Sequence, residues 1–324
     1  MIGLSFVLIL LGFVALISGA EFLVRSSSSL ARRFGVSELV IGLTIVAFGT
    51  SAPELTVNLF SSLSGANSIT LGNILGSNIF NILLILGISS LIYPLEVKKS
   101  TTWIEIPLCL LSGLVLLVLA NDVFLDKGAA NDVSRSDGFI LLFFFMIFMA
   151  YTFHAMRDDS LQMQQIADAV EIKMTRTVSA LLAGLFLLFA GGKLIVDNSV
   201  AIAEYFGVSQ RIIGLTIIST GTSLPELATS TVAAFRKKTD IAIGNIVGSN
   251  IFNVFFILGI SAGISPLAIF GDSFNPDLAL NLIASILLFL FVFTGGGRKI
   301  QRWEGGVFLV LYAGYLVNLL TNPQ

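Results

Sequence analysis

Gly49-Thr50-Ser51-Ala52-Pro53-Glu54 and, much further on, Gly221-Thr222-Ser223-Leu224-Pro225-Glu226 are one phrase written twice. Each is followed at the same spacing by a second block. Gly72-Asn73-Ile74-Leu75-Gly76-Ser77-Asn78-Ile79-Phe80-Asn81 returns as Gly244 through Asn253 with one change, Leu75 to Val247. Residues 36–95 align with 208–267 at a constant offset of 172 without a gap, and 31 of the 60 positions are identical. Such an internal repeat is the organising unit of the chain.

The composition around the repeat is that of a membrane protein. Of 324 residues, 55% are hydrophobic and 12% charged, and mean hydropathy is +0.93, which excludes a soluble enzyme. A bilayer core about 30 Å thick needs about 20 apolar helical residues to cross it. Spans are expected near 4–24, 39–62, 70–93, 103–120, 138–155, 176–196, 211–234, 241–265, 278–294 and 305–320, which gives an all-α membrane protein with ten transmembrane helices. The first span lacks a basic n-region and is too long for a signal-peptide core, so it reads as retained. A formal net charge of −2 argues against a nucleic-acid partner. The single cysteine, Cys109, reads as apolar filler, and the single histidine, His154, as an interfacial residue at the end of span 5. No organic cofactor is expected.

Lysine and arginine placement sets the orientation. Fourteen of the eighteen fall after odd-numbered spans: Arg25, Arg32, Arg33, Lys98, Lys99, Arg157, Lys173, Arg176, Arg236 to Lys238, Arg298, Lys299 and Arg302. Both termini are therefore expected outside a plasma (inner) membrane. Residues 1–155 form the first five-helix repeat, 156–175 a polar cytoplasmic linker, and 176–324 the second repeat. Five is odd, so equivalent helices are expected to cross in opposite directions. The loop charges agree, since Arg32-Arg33 corresponds to Glu204-Tyr205 and Ser64-Gly65-Ala66 to Arg236-Lys237-Lys238. Even the helix-end pair Glu21 and Arg25 exchanges sign, becoming Lys193 and Asp197 at the same i,i+4 spacing.

Inverted repeats are the architecture of secondary transporters, with sites near the midplane formed by interrupted helices. Pro53 and Pro225, beside Gly49 and Gly221, mark spans 2 and 7 as the interrupted ones. The break frees backbone carbonyls near Ala47, Thr50, Ser219 and Thr222 as candidate cation ligands. Glu54 and Glu226 lie mid-span, and a carboxylate at that depth marks function by default. Together they carry a formal charge of −2, which balances one calcium ion, a hard cation that takes oxygen ligands. Asn73, Ser77 and Asn81 recur every four positions along one helix face, and Asn245, Ser249 and Asn253 repeat the stripe. Ser77, Asn81, Ser249 and Asn253 are the candidates for an ion pathway. Asn73 and Asn245 fit helix packing as well as function, and Gly72, Gly76, Gly244 and Gly248 fit packing. Ser51 and Ser223 supply neutral oxygens of the kind sodium uses.

These paired motifs resemble the two α-repeats of the sodium/calcium exchanger family within the calcium:cation antiporter superfamily, in its prokaryotic form without a large regulatory loop. The resemblance covers essentially all ten spans. It implies an antiporter exchanging calcium for sodium by alternating access, with spans 1 and 6 sliding against the other eight. It also implies a calcium site made of Glu54, Glu226 and the carbonyls of Thr50 and Thr222. Sodium would use those carboxylates with Ser51, Ser77, Ser223, Ser249 and the carbonyls of Ala47 and Ser219, while Asn81 lines the centre. Asn253 departs from many relatives, which carry aspartate there, so this site has one titratable group fewer and is more symmetric. The implied partners are calcium, sodium and the bilayer, and the chain is expected to work as a monomer. Proton-coupled calcium exchange, with the glutamates carrying protons, is the alternative. A cation channel is a further reading, and an intramembrane enzyme lacks a histidine base or paired aspartates.

Overall fold

A computed structural model describes residues 2–65, 67–127, 130–163, 174–207, 219–269, 275–294 and 297–321. The chain is helical almost throughout. Helix α1 is Ile2–Phe34; α2, Glu38–Thr50, is followed after a bend of 47° by α3, Ala52–Leu63. Helix α4 runs from Asn67–Ile79 through a π-helical turn, Phe80–Leu86, to Gly87–Ile92. Then come α5 (Thr101–Leu119), the short α6 (Asp122–Asp126), α7 (Arg135–Met163) and α8 (Met174–Tyr205). A turn of helix, Ser219–Gly221, leads into α9 (Leu224–Phe235), followed by α10 (Thr239–Ile264), α11 (Asn275–Thr294) and α12 (Arg302–Thr321).

Seven helices among the described residues are long and apolar enough to cross a membrane, or eight if the bent pair α2–α3 is one span. Of the other two expected spans, the start of the seventh, 211–218, lies outside the described residues. The tenth is the 20-residue helix α12, whose first turn carries Arg302 and Glu304. Helices α1 and α8, at 33 and 32 residues, are longer than expected. In α1 the serines that end the apolar run return their hydroxyls to the helix's own carbonyls, Ser26 to Phe22 at 2.7 Å and Ser29 to Arg25 at 2.9 Å. The helix therefore continues until Gly35, at φ 64°, turns the chain.

The fold is not purely α. Leu95–Glu96 (β1) pairs antiparallel with Lys299–Ile300 (β4), and Asn131–Val133 (β2) with Leu267–Ile269 (β3). The hydropathy pattern carries no signal for strands this short. β1 and β3 stand 172 residues apart, yet they belong to different pairs.

Burial ranks the helices. The most apolar stretch of α10 is 94% buried and that of α4 78%, whereas that of α7 is 17% buried and faces outward. Helices α1 and α8 lie together along one flank, running antiparallel, with Gly12 against Gly191 and Gly19 against Gly184. A Cβ on Gly19 would stand 2.8 Å from the Gly184 carbonyl oxygen, so glycine is what allows the backbones to meet. In a membrane such close contact does the work that hydrophobic burial does in water.

Candidate cation site

The site begins with two prolines. Pro53 and Pro225 occupy the second positions of α3 and α9, where a missing N–H is tolerated but the preceding helix cannot continue through it. Both breaks have the same shape: Ser51 sits at φ −83°, ψ 8° and Ser223 at φ −90°, ψ 8°. Each break brings a glutamate, one residue past its proline, into the buried centre of the molecule.

There each half of the chain serves the other. Ser51 Oγ donates to Glu226 Oε1 at 2.8 Å, and Ser223 Oγ donates to Glu54 Oε1 at 2.8 Å. Ser51 also lies 3.0 Å from Ser249 Oγ, and Ser223 lies 3.0 Å from Ser77 Oγ. Ser249 and Ser77 in turn approach Glu226 at 3.5 Å and Glu54 at 3.4 Å. The Thr50 hydroxyl donates to Asn245 Oδ1 at 3.0 Å and the Thr222 hydroxyl to Asn73 Oδ1 at 3.3 Å. Every one of these contacts has its counterpart 172 residues away.

Among the buried oxygens that accept no hydrogen bond are Glu54 Oε2, Glu226 Oε2, Asn81 Oδ1 and Asn253 Oδ1. They form two equivalent pairs. A desolvated carboxylate oxygen without a donor is costly, and a cation or a proton would meet that cost. Among the described residues no cluster of three or more His, Cys, Asp or Glu side chains gathers. The donor set is two carboxylates among neutral hydroxyl and amide oxygens, the chemistry of hard cations.

The Ala47 and Ser219 carbonyls singled out from the sequence lie in the helical turns before the breaks. The Ala47 carbonyl accepts the Ser51 N–H at 3.0 Å and the Thr50 hydroxyl at 3.4 Å. Ser219 opens the turn of helix, Ser219–Gly221, before the second break. Sequence reasoning did not single out Asn78 and Asn250. Asn78 donates to the Asn250 carbonyl at 3.4 Å and Asn250 to the Asn78 carbonyl at 3.3 Å. Asn81 donates to Asn250 Oδ1 at 2.9 Å and Asn253 to Asn78 Oδ1 at 3.0 Å. Their spacing was the available signal, since each stands three residues before a stripe asparagine and so shares its face.

The chain is similar to known proteins along nearly its whole length. The family model described as sodium/calcium exchanger protein matches residues 4–154 and 177–321. Inner membrane protein YrbG of Escherichia coli (strain K12) is 36% identical over 322 residues, covering 97% of this chain and 95% of its own. Sodium/calcium exchanger MaX1 of Methanosarcina acetivorans is 32% identical over 349 residues, covering 98% and 99%. A solved structure of the sodium-calcium exchanger NCX_Mj superposes with a TM-score of 0.82 at 32% identity, covering 98% of this chain and all of that one.

Proposed function

The chain belongs to the sodium/calcium exchanger protein family, and on that premise we propose that it is a secondary active antiporter exchanging Ca2+ for Na+ by alternating access. The observation that carries the reading is the set of four buried, unpartnered oxygens on Glu54, Glu226, Asn81 and Asn253. Two carboxylates neutralise one Ca2+. The hydroxyls of Ser51, Ser77, Ser223 and Ser249 meet the same carboxylate oxygens, so sodium ions and calcium compete for one charge. The Thr50 and Thr222 carbonyls at the breaks complete the calcium shell, with those of Ala47 and Ser219 serving sodium. Structures of NCX_Mj soaked with Na+ and with Ca2+ support the choice of ions.

In this reading ten spans form two inverted repeats, 1–155 and 176–324, joined by a cytoplasmic linker, with both termini outside the inner membrane. Three observations support the inversion. Equivalent helices α1 and α8 pack antiparallel through equivalent glycines. Equivalent strands β1 and β3 join different pairs. The serine of each break serves the glutamate of the other. One chain supplies every ligand, so a monomer suffices. Sodium is favoured over protons as counter-ion by the hydroxyls arrayed on both carboxylates.

The test is radioactive calcium uptake into sodium-loaded vesicles. Uptake should follow the outward sodium gradient and be lost in Glu54→Gln and in Glu226→Gln. A pH gradient that drives uptake without sodium would select proton coupling, and uptake unaffected by both substitutions would remove the site.

A further inference from the structure

An amide can turn either of two faces to an ion. Its oxygen attracts a cation and its NH2 repels one, and the two orientations have nearly the same shape. Asn81 and Asn253 are useful as ligands only if something decides which face they show. The four-asparagine ring at the centre decides it, starting from backbone. A peptide carbonyl can only accept, so the Asn250 carbonyl obliges Asn78 to present its NH2, at 3.4 Å. Asn78 Oδ1 is then the atom on its other edge, and it obliges Asn253 to donate, at 3.0 Å. What remains of Asn253 is its oxygen, buried and unpartnered. The second arm is the counterpart: the Asn78 carbonyl orients Asn250, Asn250 Oδ1 orients Asn81 at 2.9 Å, and Asn81 Oδ1 is left over. Asn81 and Asn253 both lie in π-helical turns, Phe80–Leu86 and Phe252–Leu258, a helix form frequent at functional sites.

We propose that Asn78 and Asn250 are positioning residues that fix the polarity of the cation site, holding the Asn81 and Asn253 amides with oxygen toward the ion. The inference rests on the reading of Asn81 and Asn253 as cation ligands. Its effect falls more on calcium than on sodium, because ions of nearly equal size feel a reversed dipole in proportion to their charge.

A double-mutant cycle on the full-length transporter in vesicles tests it. Asn78→Leu should raise the calcium concentration for half-maximal uptake about tenfold, the worth of one lost orienting hydrogen bond, with a smaller change for sodium. In an Asn253→Asp background both oxygens at 253 are acceptors and no orientation is needed, so Asn78→Leu should cost about twofold or less. Asn250→Leu with Asn81→Asp repeats the cycle on the other arm, and Asn78→Ala replaces the leucine if that variant does not fold. Equal losses in both backgrounds, or none in the unaltered chain, overturn the proposal, because a role confined to holding α4 on α10 costs the same whatever stands at 253. Asn253→Ala separates the premise: unchanged calcium dependence there removes the ligand itself and overturns both readings, whereas equal losses overturn only the orientation.

Discussion

The two ends of the α1–α8 flank make a controlled comparison, because one can be mapped on the other residue by residue. At the first end Glu21 bonds Arg25 within α1 and reaches across to Arg236 just past α9, with Arg236 Nε 3.0 Å from Glu21 Oε2. α1 packs along α9 there, and Glu21 is 23% exposed. At the other end the equivalent pair, Lys193 and Asp197, is bonded within its own helix at 2.9 Å and to no other side chain among the described residues, and Lys193 is 77% exposed. Between α8 and α3 lies a cleft of about 490 Å3, lined by Pro53, Val57, Leu188, Val196, Thr222 and Pro225 among others, which leads to the second break. The centre is symmetric and the flank is not. The difference teaches that ligand geometry and access are separate properties of this fold: the ring of serines and glutamates is buried and symmetric, while the flank beside it is bonded across at one end and carries a cleft at the other.

The largest effect should come from breaking the symmetric part. Glu54→Gln and Glu226→Gln should each reduce exchange by about a hundredfold or more, as loss of a buried charged partner does, and by similar factors. A variant that keeps half the activity would mean the two carboxylates are not a pair. Next, the flank: Gly19→Leu or Gly184→Leu should destabilise the protein by about 1–3 kcal/mol in thermal unfolding, because the opposing backbone stands where the side chain must go. Gly192→Ala, where an added Cβ meets nothing within 4 Å, should leave the melting temperature unchanged.

Opening the clasped end should cost less. Arg236→Gln removes a half-exposed ion pair worth about 0.2–1 kcal/mol, a few-fold change at most. The readout is faster labelling of Thr229→Cys from the proposed cytoplasmic side in a Cys109→Ala background, with the difference shrinking at high salt. No change at low salt would take Arg236 out of the closure. The smallest effect concerns a flaw in the symmetry. In the second half Asn245 donates to Ser230 at 2.9 Å. In the first, Asn58 stands where Ser230 does and donates instead to the Glu54 carbonyl at 2.7 Å, leaving Asn58 Oδ1 and Asn73 Nδ2 without partners. Asn58→Ser should give Asn73 an acceptor and raise stability by about 1 kcal/mol. A lower melting temperature would show that the asymmetry is stabilising.

How much of this is legible in the chain follows from what each feature depends on. The helix breaks are local chemistry: proline lacks a donor wherever it stands, so Pro53 and Pro225 announce them. The stripe of Asn73, Ser77 and Asn81 is local periodicity. The i,i+4 pairs Glu21–Arg25 and Lys193–Asp197 are likewise local, and both are made. The exchange of partners between halves is not local. Nothing in Gly49–Glu54 says that Ser51 will serve Glu226 rather than its own neighbour Glu54, since that depends on where α10 places Ser249. The same holds for Arg236 and Glu21, 215 positions apart, and for the two strand pairs. Asn78 escaped notice because a period of four leads the eye from 77 to 81 and past it.

The strand pairs carry one more consequence. Each takes one strand from either half of the chain: Leu95–Glu96 with Lys299–Ile300, Asn131–Val133 with Leu267–Ile269. Neither half owns a complete pair, just as neither owns a complete set of bonds to its own glutamate. The two halves are interlocked, each supplying what the other lacks at the strands and at the glutamates.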